Sequence, residues 1–327
     1  MATPSPAGHA ANALRNIPVR RSYARGYEQN RSLGALLPQD GLQYVTELKG
    51  GDALRADIVL HISCNAHYTL FIPYIAQEIL KRLGKSHVVF GGPESCCGSR
   101  QFNMGNPDLE AQNAKLAQLS FSRVKPQLLV SVCPDCDEVF EKFRLPTTGY
   151  EIANFSALLP RFLDELRPLL RPVQRRVVVH HHTSDPARIA DGMNMRAVLE
   201  AIPGLQVVHM EDRFGPGIHC QTIKPMPADD QARMFDQAIG LGADTIAMPY
   251  HSCYRQHLKM ELLHPVRVQH YLGLVAESLG IAYDEPLKKL RLLDDLDASM
   301  AMLRPGIEQR GWDEAMVRSF VQNAVYL

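Results

Sequence analysis

Five cysteines fall directly behind three short apolar runs, and that placement constrains the fold more than any other feature of the chain. Ala56-Asp57-Ile58-Val59-Leu60-His61 leads into Cys64. His87-Val88-Val89-Phe90, with the turn Gly91-Gly92-Pro93, leads into Cys96-Cys97-Gly98. Gln127-Leu128-Leu129-Val130-Ser131-Val132 leads into Cys133-Pro134-Asp135-Cys136. Short apolar runs bounded by turn residues read as buried strands. Between them, Phe71, Ile72, Ile75, Ile79 and Leu83 recur at helical spacing. A second helix is predicted over 108–122, with Leu109, Leu116 and Leu119 on one face. Strands alternating with helices imply a parallel α/β sheet. Sites in such sheets lie at the carboxyl ends of the strands, so three cysteine groups far apart in sequence are predicted to meet at one edge.

The same order recurs further along. Arg175 to His180 repeats Ala56 to His61 without a gap, and Leu205 to His209 repeats Ser86 to Phe90 at the same offset. Gly215-Pro216 then stands for Gly92-Pro93, Thr245-Ile246-Ala247-Met248 for the third strand, and Cys253 for Cys136. Matches in order at a near-constant offset indicate an internal duplication. The expected fold is therefore α/β: two duplicated parallel-sheet halves with a metal site at the strand C-terminal ends, plus an N-terminal arm and a helical C-terminus. The arm, residues 1–52, is basic, with Arg15, Arg20, Arg21, Arg25 and Arg31 against the acid Glu28 in its first part. The first repeat with its linker spans 53–172, the linker over 145–172 reading as helical and proline-punctuated. The degenerate second repeat spans 173–265. The helical C-terminal segment spans 266–327, with helices expected over 266–279, 287–303 and 312–325.

Lys+Arg and Asp+Glu number 35 each, which gives no electrostatic reason to expect nucleic acid or an anionic membrane as partner. No apolar run reaches the ~20 residues that span a bilayer. No signal-peptide core follows the start, and a polar stretch follows Arg20-Arg21, so the expected location is cytoplasmic. In a reducing compartment clustered cysteines read as metal ligands or redox groups rather than disulfides. The seven cysteines are odd in number, and Cys96 and Cys97 are adjacent. Five thiolates are one more than a tetrahedral zinc or a cubane cluster takes, and such soft donors suit iron–sulfur clusters, zinc or copper(I). A four-cysteine zinc site and a thioredoxin-like dithiol at Cys133 and Cys136 remain open beside the cluster reading. Gly98 is read as clearing room for a bulky cluster. No G-x-G-x-x-G or P-loop follows a predicted strand, which argues against a nucleotide-binding enzyme.

The second half keeps only part of the pattern. Cys96 becomes His219, Cys97 becomes Cys220, Gly98 becomes Gln221, Cys133 becomes Tyr250, and Cys64 becomes Thr183 or Ser184. Histidines gather there instead, at 180–182, 209, 219, 251 and 257. Imidazole with thiolate suits zinc or iron. A second metal site is expected from Cys220, Cys253 and His219 with one or two of His181, His182 and His251. The alternative is a decayed site whose histidines are solvated or hydrogen-bonded.

Cys64, Cys96-Cys97-Gly98 and Cys133-xx-Cys136, with the phrase Gly91 to Gly98, resemble the cysteine-rich CCG domain found in the B subunit of heterodisulfide reductase and in related redox subunits. The resemblance covers roughly residues 56–258. It implies that Cys64, Cys96, Cys97, Cys133 and Cys136 hold a non-cubane [4Fe–4S] cluster in an oxidoreductase complex. With its degenerate second half, the chain looks like the B-subunit homologues of the heterodisulfide-reductase-like complexes of sulfur oxidisers. The resemblance implies a ferredoxin-like C subunit, a flavin-bearing A subunit and a lipoate-binding carrier protein as partners. The work implied is cleavage or formation of a sulfur–sulfur bond, or handling of carrier-bound sulfur. The competing function is a non-catalytic electron-transfer or assembly role with a structural zinc or cluster.

Overall fold

The computed structural model describes residues 32, 34–46, 48, 54–182, 186–210 and 226–326. The first 31 residues of the basic arm, together with Thr183, Ser184, Gly215, Pro216, His219 and Cys220, lie outside the described residues.

Two four-stranded sheets carry the fold, with orders β2-β1-β3-β4 and β6-β5-β7-β8. The first is built from β1 (Ile58–His61), β2 (His87–Phe90), β3 (Leu128–Ser131) and β4 (Glu151–Asn154). The second uses β5 (Arg175–Val179), β6 (Leu205–Val208), β7 (Thr245–Met248) and β8 (Arg267–His270). Every pairing is parallel. The central strands β1, β3 and β7 are buried at every residue, as strands covered on both faces must be, which is why they read as apolar runs and not as alternating ones.

Helices α1 (Phe71–Arg82), α2 (Pro107–Ser122) and α3 (Pro134–Lys142) cover the first sheet. Helices α4 (Pro186–Glu200), α5 (Ala228–Gly240), α6 (His251–His257) and α7 (Tyr271–Leu279) cover the second. Three more, α8 (Pro286–Leu293), α9 (Leu296–Arg310) and α10 (Glu314–Val321), complete the C-terminal segment. Among the described residues no helix is long and apolar enough to cross a membrane.

The duplication is visible as identical strand order, and the register refines it. Ile58 pairs with His87 and Leu128, while Val177 pairs with Val207 and Thr245. Val207, not Gln206, therefore takes His87's position, a shift of one residue in β6 that a short Val-rich run does not reveal. The fourth strand of each half corrects the pattern reading, which assigned 145–172 and 266–279 to helix. β4 and β8 each have four residues, and each is followed at once by a helical turn capped by the strand's last residue. Apolar periodicity over so short a strand merges with that of the following helix.

The buried face of α2 is also different from the expected one. Leu109, Ala114, Ala117 and Phe121 face the core, whereas Leu116 and Leu119 are 54% and 52% exposed. Small alanines let the helix lie close to the sheet, and a leucine-based reading of the face misses them. One core runs through both halves, and a second, which takes in Cys97, Cys133 and Cys136, lies within the first half. Phe71, at the start of α1, packs between Tyr254 at 5.3 Å and Tyr283 at 5.4 Å.

Candidate metal centre

In the first half the strand order β2-β1-β3-β4 places β1 between its two successors, so the order in which the chain adds strands reverses between β1 and β3. Side chains following those two strands converge on the crevice this reversal opens. Cys64 begins a short 3-10 turn just past β1, with Ser63 capping it through a hydrogen bond accepted from the Ala66 amide at 3.3 Å. Cys96 and Cys97 follow the turn Pro93–Ser95 past β2. Cys133 is the N-cap of α3 and Cys136 lies in its first turn, with Pro134 at the helix start, where a missing amide hydrogen costs nothing. Ser131 pins this corner: its hydroxyl accepts from the Cys133 amide at 3.0 Å and donates to the Cys133 carbonyl at 3.1 Å.

The five sulfurs form one continuous string of interacting neighbours, Cys64 with Cys96, Cys96 with Cys97, Cys97 with Cys136, and Cys136 with Cys133. Cys96, Cys97, Cys133 and Cys136 are buried and Cys64 is partly so. Their protonation follows from the contacts. Cys133 is pushed well below an ordinary thiol, first by the hydrogen bond from Cys136 and then by one from His251. Cys136 is pushed up, first by its bond with Cys133, then by that with Cys97 and by burial. Cys64 is raised by its bond with Cys96 and by burial. Cys97 is pulled down by Cys136, but its bond with Cys96, burial and neighbouring charge carry it up overall. Cys64, Cys97 and Cys136 are thus held as thiols beside a more acidic Cys133, because like charges in contact in a buried site repel strongly. Only added positive charge would let the whole set ionise. A polynuclear iron–sulfur group fits this donor set, with Cys64, Cys96, Cys97, Cys133 and Cys136 available to hold it.

Gly98 is required for a reason other than the one expected from sequence. Its φ is +89°, and a Cβ there would lie 2.8 Å from the Cα and 2.9 Å from the carbonyl oxygen of Glu110. The close neighbour is the backbone of α2, so the glycine brings the cysteine pair down onto that helix. Buried Glu110 is in turn tied to α3 by Lys142 at 2.8 Å.

The second-half candidates separate. His251 reaches across to Cys133 of the first half. His181 turns toward the Val179 carbonyl, 3.3 Å from its Nδ1. His182 lies with Cys253, its Nε2 3.0 Å from the sulfur. His219 and Cys220 lie outside the described residues. Two histidines near these groups stand outside the expected ligand sets. His61 is fully buried, its pKa lowered by desolvation while the charges of Cys96 and Cys133 oppose that shift. His180 joins His182 and Cys253. The signal was present: both histidines close the first strand of their half, the one polar residue the two runs share there.

Residues 58–141 match the family model of the cysteine-rich domain CCG, a span that contains all five cysteines. The chain carries a CCG cysteine-rich domain. A second likeness runs over most of the chain. The chain is 26% identical over 298 residues to the B subunit of the fumarate reductase (CoM/CoB) of Methanothermobacter marburgensis, covering 85% of this chain. It spans 58% of the length of that relative. A periplasmic ribose ABC transporter structure from Conexibacter woesei matches 67% of this chain and 74% of its own at 11% identity, with a TM-score of 0.25, too low to carry any argument.

Proposed function

We propose that the chain is an iron–sulfur redox protein of a larger complex, in which Cys64, Cys96, Cys97, Cys133 and Cys136 hold a non-cubane [4Fe–4S] cluster. The observation that carries this reading is the unbroken string of five buried or half-buried sulfurs across three strand ends, one donor beyond the needs of tetrahedral zinc. The CCG domain supports it, as does a relative named as the B subunit of a CoM/CoB fumarate reductase. When bound, such a group supplies electrons singly and an iron at which a substrate sulfur can bind.

The chain's own residues do the rest. The strand ends and Ser131 set the position of the sulfurs, and burial excludes water. His251 offers a hydrogen bond to Cys133, a contact of the kind that tunes a cluster's potential. The reaction proposed is the reduction of a sulfur–sulfur bond: two electrons and two protons convert the disulfide to two thiols, or the reverse. The electrons pass to or from a ferredoxin-like C subunit and a flavin-bearing A subunit, with a lipoate-binding carrier protein presenting the sulfur. The proposed setting is a cytoplasmic complex of sulfur metabolism.

Anaerobic purification tests the reading. The protein should be brown, with about four irons and matching acid-labile sulfide per chain and an EPR signal on oxidation or reduction. Cys97→Ser with Cys136→Ser should abolish the iron. A colourless protein holding about one zinc that is lost in this double variant would overturn it in favour of a structural zinc site.

A further inference from the structure

The second sheet repeats the reversal of the first, and a different donor set stands at the repeated position. His180 and His182 follow β5 and Cys253 lies in the first turn of α6 behind β7, the two strands flanking the reversal. All three are buried, and one ligand atom from each lies within 4.8 Å of the others. The His182 Nε2 is 3.0 Å from the Cys253 sulfur. The two imidazoles sit 5.3 Å apart, inclined at 61°, and His180 also hydrogen-bonds Cys253. His257, a turn after Cys253, brings a third ring to 5.7 Å from His180.

We propose that His180, His182 and Cys253 bind one divalent cation of the zinc class, as a site separate from the five-thiol centre. Two considerations carry this. Burying several imidazoles and a thiol together is costly unless their polar atoms are engaged, and a cation engages all three at once. Two nitrogens and one sulfur are the borderline donors zinc prefers, and three protein ligands leave a fourth position for water or another donor. The ion would also clamp the exit of β5 to the start of α6. That turn carries His251, which reaches Cys133, so the metal would hold the second half's contribution to the first site in place.

The site does not depend on the cluster reading, and the test keeps the two apart. The full-length chain, purified anaerobically, should contain about one zinc per chain beside its iron. In His182→Ala with Cys253→Ala, zinc should fall about tenfold or more, the scale of loss on disturbing a metal site, while iron and sulfide stay. Cys97→Ser with Cys136→Ser should do the opposite. His182→Cys, which restores a ligand, should keep the zinc. In the Cys97→Ser, Cys136→Ser background, cobalt(II) should give thiolate charge-transfer absorption and the visible bands of four-coordinate cobalt. This decides the matter if the His182→Ala, Cys253→Ala protein does not fold. Zinc unchanged in His182→Ala with Cys253→Ala, or no cobalt–thiolate band, would overturn the proposal. Loss of zinc with Cys97 and Cys136 instead would assign it to the thiol centre and overturn this proposal, whereas the cluster reading falls only if the protein carries no iron.

Discussion

At the scale of single residues, the thiol centre depends on a glycine that touches no sulfur directly. Gly98 must hold a left-handed backbone and sit against the α2 backbone at Glu110. A methyl group at that position would meet both a disfavoured φ and a contact that no flexible side chain can relieve. Gly98→Ala should cost about 1–3 kcal/mol, read as a lower urea midpoint. It should also lower the iron retained per chain, because the adjacent cysteine pair is displaced. A variant with unchanged midpoint and full iron would show that the loop relaxes freely. His61 and His180, which stood outside the expected ligand sets, make the complementary point. Each was legible as a polar residue ending an apolar strand. What each histidine touches was not, since its neighbours come from other strand ends.

Elements meet across the two halves through polar side chains. Asp191 on α4 is buried, and it accepts hydrogen bonds from Tyr250 Oη and Ser156 Oγ at 2.6 Å each. Arg188, one turn earlier on α4, reaches Glu138 at 3.2 Å and Asp135 at 3.8 Å on α3. Tyr250 occupies the position equivalent to Cys133, and each is the N-cap residue of its helix. A thiol position in one half is thus a phenol that donates a hydrogen bond in the other. Tyr250→Phe would leave one oxygen of a buried carboxylate short of a donor, a loss of about 1–3 kcal/mol. Chemical unfolding should show that loss without a change in iron content. Iron lost in proportion to stability would mean instead that this contact holds the centre together. The alternation of strand and helix was readable from the chain. The buried face of α2 was not, because its alanines carry little hydrophobic signal beside exposed leucines.

Over the whole molecule, buried neutral histidines make stability depend on acid. The ring of His270 has Nε2 3.1 Å from the Pro249 carbonyl and Nδ1 accepting from the Leu272 amide at 3.3 Å, which leaves no place for a second proton. Burial, first among the causes, lowers its pKa to about 3, and that of His257 likewise to about 3. The unfolded chain binds protons at these rings from about pH 6.5 downward, and the folded chain does not until about pH 3. Stability from this source is therefore complete above pH 6.5 and lost as pH falls through that window. Urea midpoints measured from about pH 7 to 5 should decline. His270→Asn, whose side chain can still cap α7, should decline less steeply; equal slopes would show that His270 is not among the groups responsible.

By itself the sequence determined the class of fold, the duplication and the one edge where the cysteines gather. Those depend on local patterns, since a buried parallel strand must be apolar throughout and a loop cysteine behind it must sit at its carboxyl end. It did not determine which second-half side chains share a site. His251, two residues from Cys253, faces Cys133, whereas His180, far from Cys253 along the chain, faces it. Adjacent residues in a helix's first turn point in different directions, and only the packing of one half against the other decides what each direction meets. The five thiols remain where their strands put them; what stands opposite them was settled by the tertiary fold.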